Sequence, residues 1–243
     1  MNKLIVIPAR YESTRLPGKP LLEIAGKPLI RLVYERASES RLKDDVIVAT
    51  DDERILNTVT AFGGNAVMTS SSCRSGTDRV FEAMQHTEAD LIINLQGDEP
   101  FMRPDMTDLL FSVMEKEDLD MATLCSPITD DREYHDPNTV KVVLDGRGFA
   151  LYFSRSPIPY LRNGSARPLF YKHIGIYAFK RDFLERFVKM PRSRLEEIES
   201  LEQLRVLENG FRIRVLTTQY DGFGIDTPAD LDRARLTLDR KTG

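Results

Sequence analysis

The chain has 243 residues, with 34 Lys and Arg against 38 Asp and Glu, a net charge of −4. Hydrophobic residues make up 41% and charged residues 30%, and with 14 Gly and 13 Pro the composition is that of a globular protein and not of a collagen-like or low-complexity chain. Mild acidity argues against non-specific nucleic-acid binding, which needs a concentrated basic face, yet leaves room for a local Lys/Arg cluster that takes an acidic ligand.

Apolar runs alternate with amphipathic stretches along the first half. Leu4–Pro8 reads as a strand, followed by a loop rich in Gly, Pro and charge over Ala9–Pro20. Pro28–Ser40 carries Leu29, Leu32, Val33 and Ala37 on a helical period. Strands are expected at Asp45–Thr50, Asn65–Thr69, Leu91–Leu95 and Met121–Ser126, and helices at Asp52–Phe62, Gly76–His86 and Pro104–Lys116. Continuous apolar strands separated by helices predict βαβ units and a mostly parallel sheet covered on both faces.

After about residue 138 the pattern changes. Val140–Leu144 and Phe149–Ser154 flank Asp145-Gly-Arg-Gly148, which is hairpin turn chemistry. A strand at His173–Phe179, helices at Arg181–Lys189 and Arg194–Glu208, a strand at Arg212–Thr217 and a last helix from Pro228 complete the chain. The expectation is one α/β domain with an antiparallel insertion. Cys73 and Cys125, the two cysteines, make neither a disulfide framework nor a metal spacing. The Leu4–Ile7 run is too short for a signal peptide and no stretch approaches about 18 apolar residues, so a cytoplasmic protein is expected.

Several residue groups can carry chemistry. The first loop gathers Arg10, Arg15 and Lys19 with Ser13, Thr14 and Gly18 at the carboxyl end of the first strand, where open α/β sheets bind ligands. Two guanidiniums and a lysine suit phosphate oxygens; the alternative is a solvated basic turn. The loop is neither a Walker loop nor a dinucleotide fingerprint. Asp98, in Gln96-Gly-Asp-Glu-Pro100, suits Mg²⁺ or is a plain turn residue. Asp226, before the last helix, is either its N-cap or a second metal ligand. Ser75-Gly-Thr-Asp-Arg79 can bond a base or ribose, or can simply start a helix.

Within Arg194–Glu208, Ser193-Arg-Leu-Glu196 fits a capping box. At 100° per residue from Leu195, Glu202 falls at about 340°, inside a stripe with Ile198 and Val206, and Gln203 at about 80°. A carboxylate there needs a partner. His173, Gly175 and Tyr177 share one strand face, with Gly175 leaving room for a ligand. Arg155 can serve an anionic substrate or lie on the surface, and His86 and His135 read as surface residues.

The opening string from Val6 through Arg10, Arg15 and Lys19 resembles the start of the 3-deoxy-manno-octulosonate (Kdo) cytidylyltransferases. The likeness continues in order through Asp51, Ser75–Arg79, Gln96–Pro100, Val140–Leu144, Ala150–Arg155, His173–Tyr177, Leu201–Leu207 and Asp226–Leu231, nearly the whole chain. It implies a nucleotidyltransferase α/β fold of glycosyltransferase-A type, a homodimer, and conversion of CTP and Kdo, or its 8-amino analogue, to the CMP-sugar and pyrophosphate with Mg²⁺, for lipopolysaccharide synthesis. By the same resemblance the nucleotide-binding half is about 1–130, the sugar-acid and dimerisation half about 131–220, and the chain returns to the metal site at 221–243. Pro8, Arg10, Arg15, Lys19, Ser75, Gly76, Arg79 and Gln96 match nucleotide-binding positions, and Asp98 and Asp226 the Mg²⁺ ligands; Arg10, Lys19, Asp98 and Asp226 are the catalytic set. Arg155, His173, Tyr177, Glu202 and Gln203 match the sugar-acid site. Arg74 replaces a neutral residue of many relatives, and the Leu161–Tyr171 stretch is shorter than theirs. A sugar-1-phosphate nucleotidyltransferase and a non-catalytic cytidine-nucleotide regulator are the competing expectations.

Overall fold

The structure is a computed structural model describing residues 1–12, 15–162, 169–220 and 222–242, the side chains of 239–242 excepted. Ser13, Thr14 and most of the 161–171 stretch singled out above therefore lie outside the described residues. In chain order the elements are β1 (Lys3–Ala9), a 3₁₀ turn (Lys19–Leu21), β2 (Glu23–Ile24), β3 (Lys27–Pro28), α1 (Leu29–Ser38), β4 (Asp45–Thr50), α2 (Glu53–Ala61), β5 (Asn65–Met68), α3 (Gly76–Met84), β6 (Leu91–Leu95) and α4 (Pro104–Lys116). There follow β7 (Met121–Pro127), α5 (Asp131–His135), β8 (Lys141–Leu144), β9 (Ala150–Ser154), β10 (Tyr171–Lys180), α6 (Arg181–Lys189), α7 (Arg194–Glu199), α8 (Leu204–Glu208), β11 (Arg214–Thr217) and α9 (Pro228–Thr242). The chain divides into two compact units, Met1–Ser112 with Asp221–Gly243, and Val113–Tyr220.

The first unit is a parallel ladder in the order β6-β1-β4-β5. β1 is its centre: Val6 lies opposite Ile47 of β4 on one side and Asn94 of β6 on the other. Leu4–Ile7 and Leu91–Leu95 are buried throughout, as strands covered on both faces must be. The chain steps outward from β1 to β4 to β5, then passes back across β1 to β6. Right-handed crossovers therefore put α1 and α2 on one face and α3 on the other. That reversal makes the gap between β1 and β6 the topological switch point, where the loops leaving the two strands part and a ligand fits.

The second unit centres on β7, flanked by β11 in parallel and β10 antiparallel. The hairpin β8–β9 joins the far side of β10 through Tyr171 and Lys172. The register of β10 slips between Ile174 and Tyr177, a bulge around Gly175.

One sequence expectation is corrected. Arg194–Glu208 is not a continuous helix: it breaks into α7 and α8 at Ser200, which adopts φ 52°, ψ 49°. Leu201 N–H returns to Glu196 O, closing α7. Glu202 and Gln203 thus sit on the connecting bend, the 340° stripe does not exist, and Ile198 is 67% exposed. The break is held from outside, because Arg155 Nε donates to Glu199 O at 2.8 Å and Glu199 accepts from Ser154 Oγ and Arg155 N. A buried pair, Arg205 Nε to Glu196 Oε2 at 2.7 Å, then ties α7 to α8. Arg205 also lies 4.6 Å from the Phe187 ring centroid.

Candidate active site

The switch point of the first unit opens into a cavity of about 280 Å³. Its walls include Pro8, Arg10, Arg15, Lys19, Ser75, Gly76, Arg79, Gln96, Asp98 and Asp226, so every nucleotide and metal position implied by the sequence converges there. Arg74 joins them, giving five cationic side chains against two carboxylates, a field suited to a polyanion. Cys73 and Gly97 also line it and carried no signal of their own.

The first loop is shaped by Gly18. Its φ of +68° is left-handed, and its N–H returns to Tyr11 O at 3.0 Å. A side chain at Gly18 would come within 3.1 Å of the Tyr11 ring. Arg54, at the start of α2, packs over that ring with its Cζ 3.3 Å from the centroid and is itself held by Asp52 at 2.6 Å. The loop thereby starts the 3₁₀ turn with Lys19 facing the acidic residues. At the neighbouring strand end, a Cβ on Gly97 would lie 2.9 Å from Pro8 O; glycine is what lets β1 and β6 end so close together.

Lys19 Nζ bridges Asp98 Oδ2 at 2.6 Å and Asp226 Oδ1 at 3.1 Å. Arg15 reaches Asp226 at 3.4 Å. Burial alone would lower the Lys19 pKa, but the charge and hydrogen bond of Asp98, with those of Asp226, raise it above the ordinary value. The two readings of Asp226 are now separated. Thr227 caps α9, accepting from Asp230 N at 3.2 Å while Asp230 accepts from Thr227 N at 2.9 Å. That leaves the Asp226 carboxylate for the cavity. The backbone bond from Ile225 N to Asp98 O, 2.9 Å, brings the two acidic segments side by side.

Ser75 does start α3: its hydroxyl accepts from Asp78 N at 3.1 Å, and Asp78 answers to Ser75 N. The helix start and Gly76 nevertheless form one wall, with Gly76 against Pro8 and Gln96. Gln96 is oriented by Asn94 at 3.0 Å, and Asn94 by Thr77 at 3.1 Å. Arg79 is buried, and its guanidinium is bound to Asp51 at 2.7 Å and to Thr69. It braces the ends of β4 and β5 behind the wall.

In the second unit the structure gathers His173, Tyr177 and Gln203. The His173 and Tyr177 rings are 5.3 Å apart on one face of β10, and a Cβ on Gly175 would meet open space among the described residues. Thr123 of β7, which sequence reasoning passed over, lies 2.9 Å from His173 Nε2 and donates to Ile176 O at 2.8 Å. With the hydroxyl proton so used, His173 donates from Nε2. Burial pushes its pKa down from 6.5 to about 3, so the ring is neutral. Burial, and the nearby charge of Glu202, push the Tyr177 phenol up; it stays protonated and donates to Gln203 Oε1 at 3.1 Å. Gln203 Nε2 is buried with no acceptor among the described residues, a costly state for a donor. Glu202 is half-buried beside it. Arg155 connects to this cluster through the Ser200–Gln203 bend and not through the rings. His86 and His135 are exposed.

A family model described as cytidylyltransferase matches residues 4–213. The 3-deoxy-manno-octulosonate cytidylyltransferase of Thermodesulfovibrio yellowstonii is 52% identical, with 98% of each chain covered. The 8-amino-3,8-dideoxy-manno-octulosonate cytidylyltransferase of Shewanella pealeana is 51% identical over 98% of this chain and 100% of its own. A solved structure of CMP:2-keto-3-deoxy-manno-octonic acid synthetase complexed with CTP superposes with a TM-score of 0.95, at 50% identity, covering 99% of this chain and 100% of that one. Identity of this order along the full length, on the same fold, leaves one conclusion: the chain belongs to the 3-deoxy-manno-octulosonate cytidylyltransferase family.

Proposed function

We propose that the protein joins the cytidylyl group of CTP to a 3-deoxy-octulosonate, Kdo or its 8-amino analogue, releasing pyrophosphate. The observation that carries this reading is the switch-point cavity, in which Lys19 spans Asp98 and Asp226 among Arg10, Arg15 and Arg74. Pro8, Ser75, Gly76 and Gln96 provide the small and polar wall for the cytidine, braced by Arg79. The acceptor is held by His173, Tyr177, Glu202 and Gln203, with Arg155 behind their bend.

In the reaction the acceptor's anomeric hydroxyl oxygen bonds to the α-phosphorus of CTP in line. The bond from that phosphorus to the oxygen bridging to the β-phosphate breaks, pyrophosphate leaves, and the hydroxyl proton is released to water. Such chemistry depends on positioning and charge neutralisation. Arg10, Arg15 and Lys19 bind the phosphate oxygens and hold the negative charge that builds on the leaving group. Neutral His173 and protonated Tyr177 add no competing charge, and Gln203, whose carbonyl accepts from Tyr177, presents its Nε2 as the donor.

Mg²⁺ fits this chemistry. Two carboxylates that both touch one ammonium nitrogen can touch one cation, and Mg²⁺ takes one or two carboxylates with substrate phosphates completing its shell. Asp98 and Asp226 would hold it. Bound there, it would neutralise phosphate charge and favour ionisation of the attacking hydroxyl.

By the same resemblance the protein works as a cytoplasmic homodimer feeding lipopolysaccharide synthesis. No helix among the described residues is long and apolar enough to cross a membrane. The test is pyrophosphate release from CTP and Mg²⁺ with Kdo, its 8-amino analogue and a hexose 1-phosphate in parallel. Release with an octulosonate is expected, the ratio of efficiencies naming the acceptor. Release with the sugar phosphate alone overturns the acceptor, and CTP binding without release under any acceptor overturns catalysis.

A further inference from the structure

Lys141, on β8, is fully buried, and no carboxylate among the described residues accepts a hydrogen bond from it. Its ammonium instead donates to three backbone carbonyls: Asp136 O at 2.9 Å, Thr139 O at 2.6 Å and Arg155 O at 2.5 Å. A buried charge with no counter-charge bonded to it is costly, so what it supplies has to be specific. Three diverging N–H donors on one atom are what lysine alone offers, since arginine presents a planar fork.

The three acceptors come from two segments. One is the turn from Asp136 to Thr139, closed by Thr139 N to Asp136 O at 3.1 Å. The other is Arg155, at the end of β9. The guanidinium of Arg155 carries the pattern further. It donates to Pro137 O at 3.0 Å and to Glu199 O at 2.8 Å, with Ser200 O at 3.5 Å. Two cations in series thus gather backbone carbonyls from the 136–139 turn and from the break between α7 and α8. The bend they hold is the one that carries Glu202 and Gln203.

We infer that Lys141 is a positioning residue for acceptor recognition: its ammonium fixes Arg155, and Arg155 holds the Ser200–Gln203 bend so that the Gln203 amide meets the sugar acid. The inference rests on the function proposed above and assigns Arg155 a role through the backbone.

The test is a KM split. Lys141→Met keeps the length and apolar volume of the side chain but removes the charge and all three donors. The KM for the octulosonate is expected to rise about tenfold or more, with the KM for CTP within about twofold of wild type. Lys141→Arg keeps the charge and loses the three-donor geometry; it shows the same split and carries the test if Lys141→Met does not fold. Arg155→Met gives the same split, and the double variant Lys141→Met/Arg155→Met is no worse than the poorer single one, because both act through one bend. An unmoved octulosonate KM in a folded variant overturns the inference, as do equal rises in both KM values or losses that add. Wild-type protein that releases no pyrophosphate with any octulosonate overturns the proposed function instead, and the two failures are told apart in the same assay.

Discussion

Lys19 holds Asp98 and Asp226 at a separation where two bare carboxylates would repel. Asp98→Asn is therefore expected to fold with near wild-type stability yet lose most turnover, a hundredfold or more at the scale of one lost electrostatic group; pyrophosphate release close to wild type would remove Asp98 from the reaction. His173 gives a second test. Its folded pKa of about 3 lies below the ordinary 6.5, so between those pH values the unfolded chain binds the extra proton. Stability is full above about pH 6.5 and declines as pH falls toward 3, by up to about 1.4 kcal/mol per pH unit from this group. Urea unfolding at stepped pH checks it: His173→Gln should flatten that part of the profile, and an unchanged slope would mean the ring is not held neutral. The cavity residues were legible singly only as alternatives. Asp226 could have been a helix cap until Thr227 was seen to take that place, and nothing in Ser-Gly-Thr-Asp-Arg announces that Arg79 turns back to Asp51.

The break between α7 and α8 belongs to the scale of elements. Its sequence has a capping box and an apolar period but no glycine at the turn, because the left-handed residue is Ser200 and the force that stops the helix is Arg155, distant in sequence. Local pattern could not contain that. The buried Glu196–Arg205 pair secures the two short helices. Burial would raise the Glu196 pKa, but the Arg205 bonds hold it below the usual value. Glu196→Gln leaves the guanidinium uncompensated and should cost about 3–5 kcal/mol by denaturant unfolding; a loss under 1 kcal/mol would show the pair to be dispensable. In the first unit, Gly97→Ala places a methyl against Pro8 O, at the 2.9 Å contact. The ends of β1 and β6 must move apart, and the KM for CTP is expected to rise several-fold while that for the acceptor stays. Elements bounded by Gly, Pro or Asp, such as Asp45–Thr50 and Leu91–Leu95, match their sequence limits to the residue. The two-residue strands at Glu23 and Lys27 and the single turn at Asp131–His135 are too short to carry a period.

For the whole molecule, alternation of strands and helices was enough to expect a parallel sheet and, from it, a ligand at the carboxyl end of β1. The order β6-β1-β4-β5, which makes β1 and β6 the pair that parts, depends on strand pairings that no local window contains. If CTP occupies that gap, amide hydrogen exchange with CTP and Mg²⁺ should slow mainly in β1, β6 and the start of α3, and the octulosonate should slow β10 and the 200–203 bend. Protection by CTP centred on β10 would contradict that placement. The first unit is also discontinuous: Lys19 and Asp98 precede the whole of the second unit in the chain, and Asp226 follows it. During synthesis the parallel strands exist long before Asp226 does, so a growing chain holds the first loop and Asp98 without Asp226. On the proposed function the acidic pair is complete only after the second unit has been made, and a chain cut short anywhere before Asp226 is expected to release no pyrophosphate.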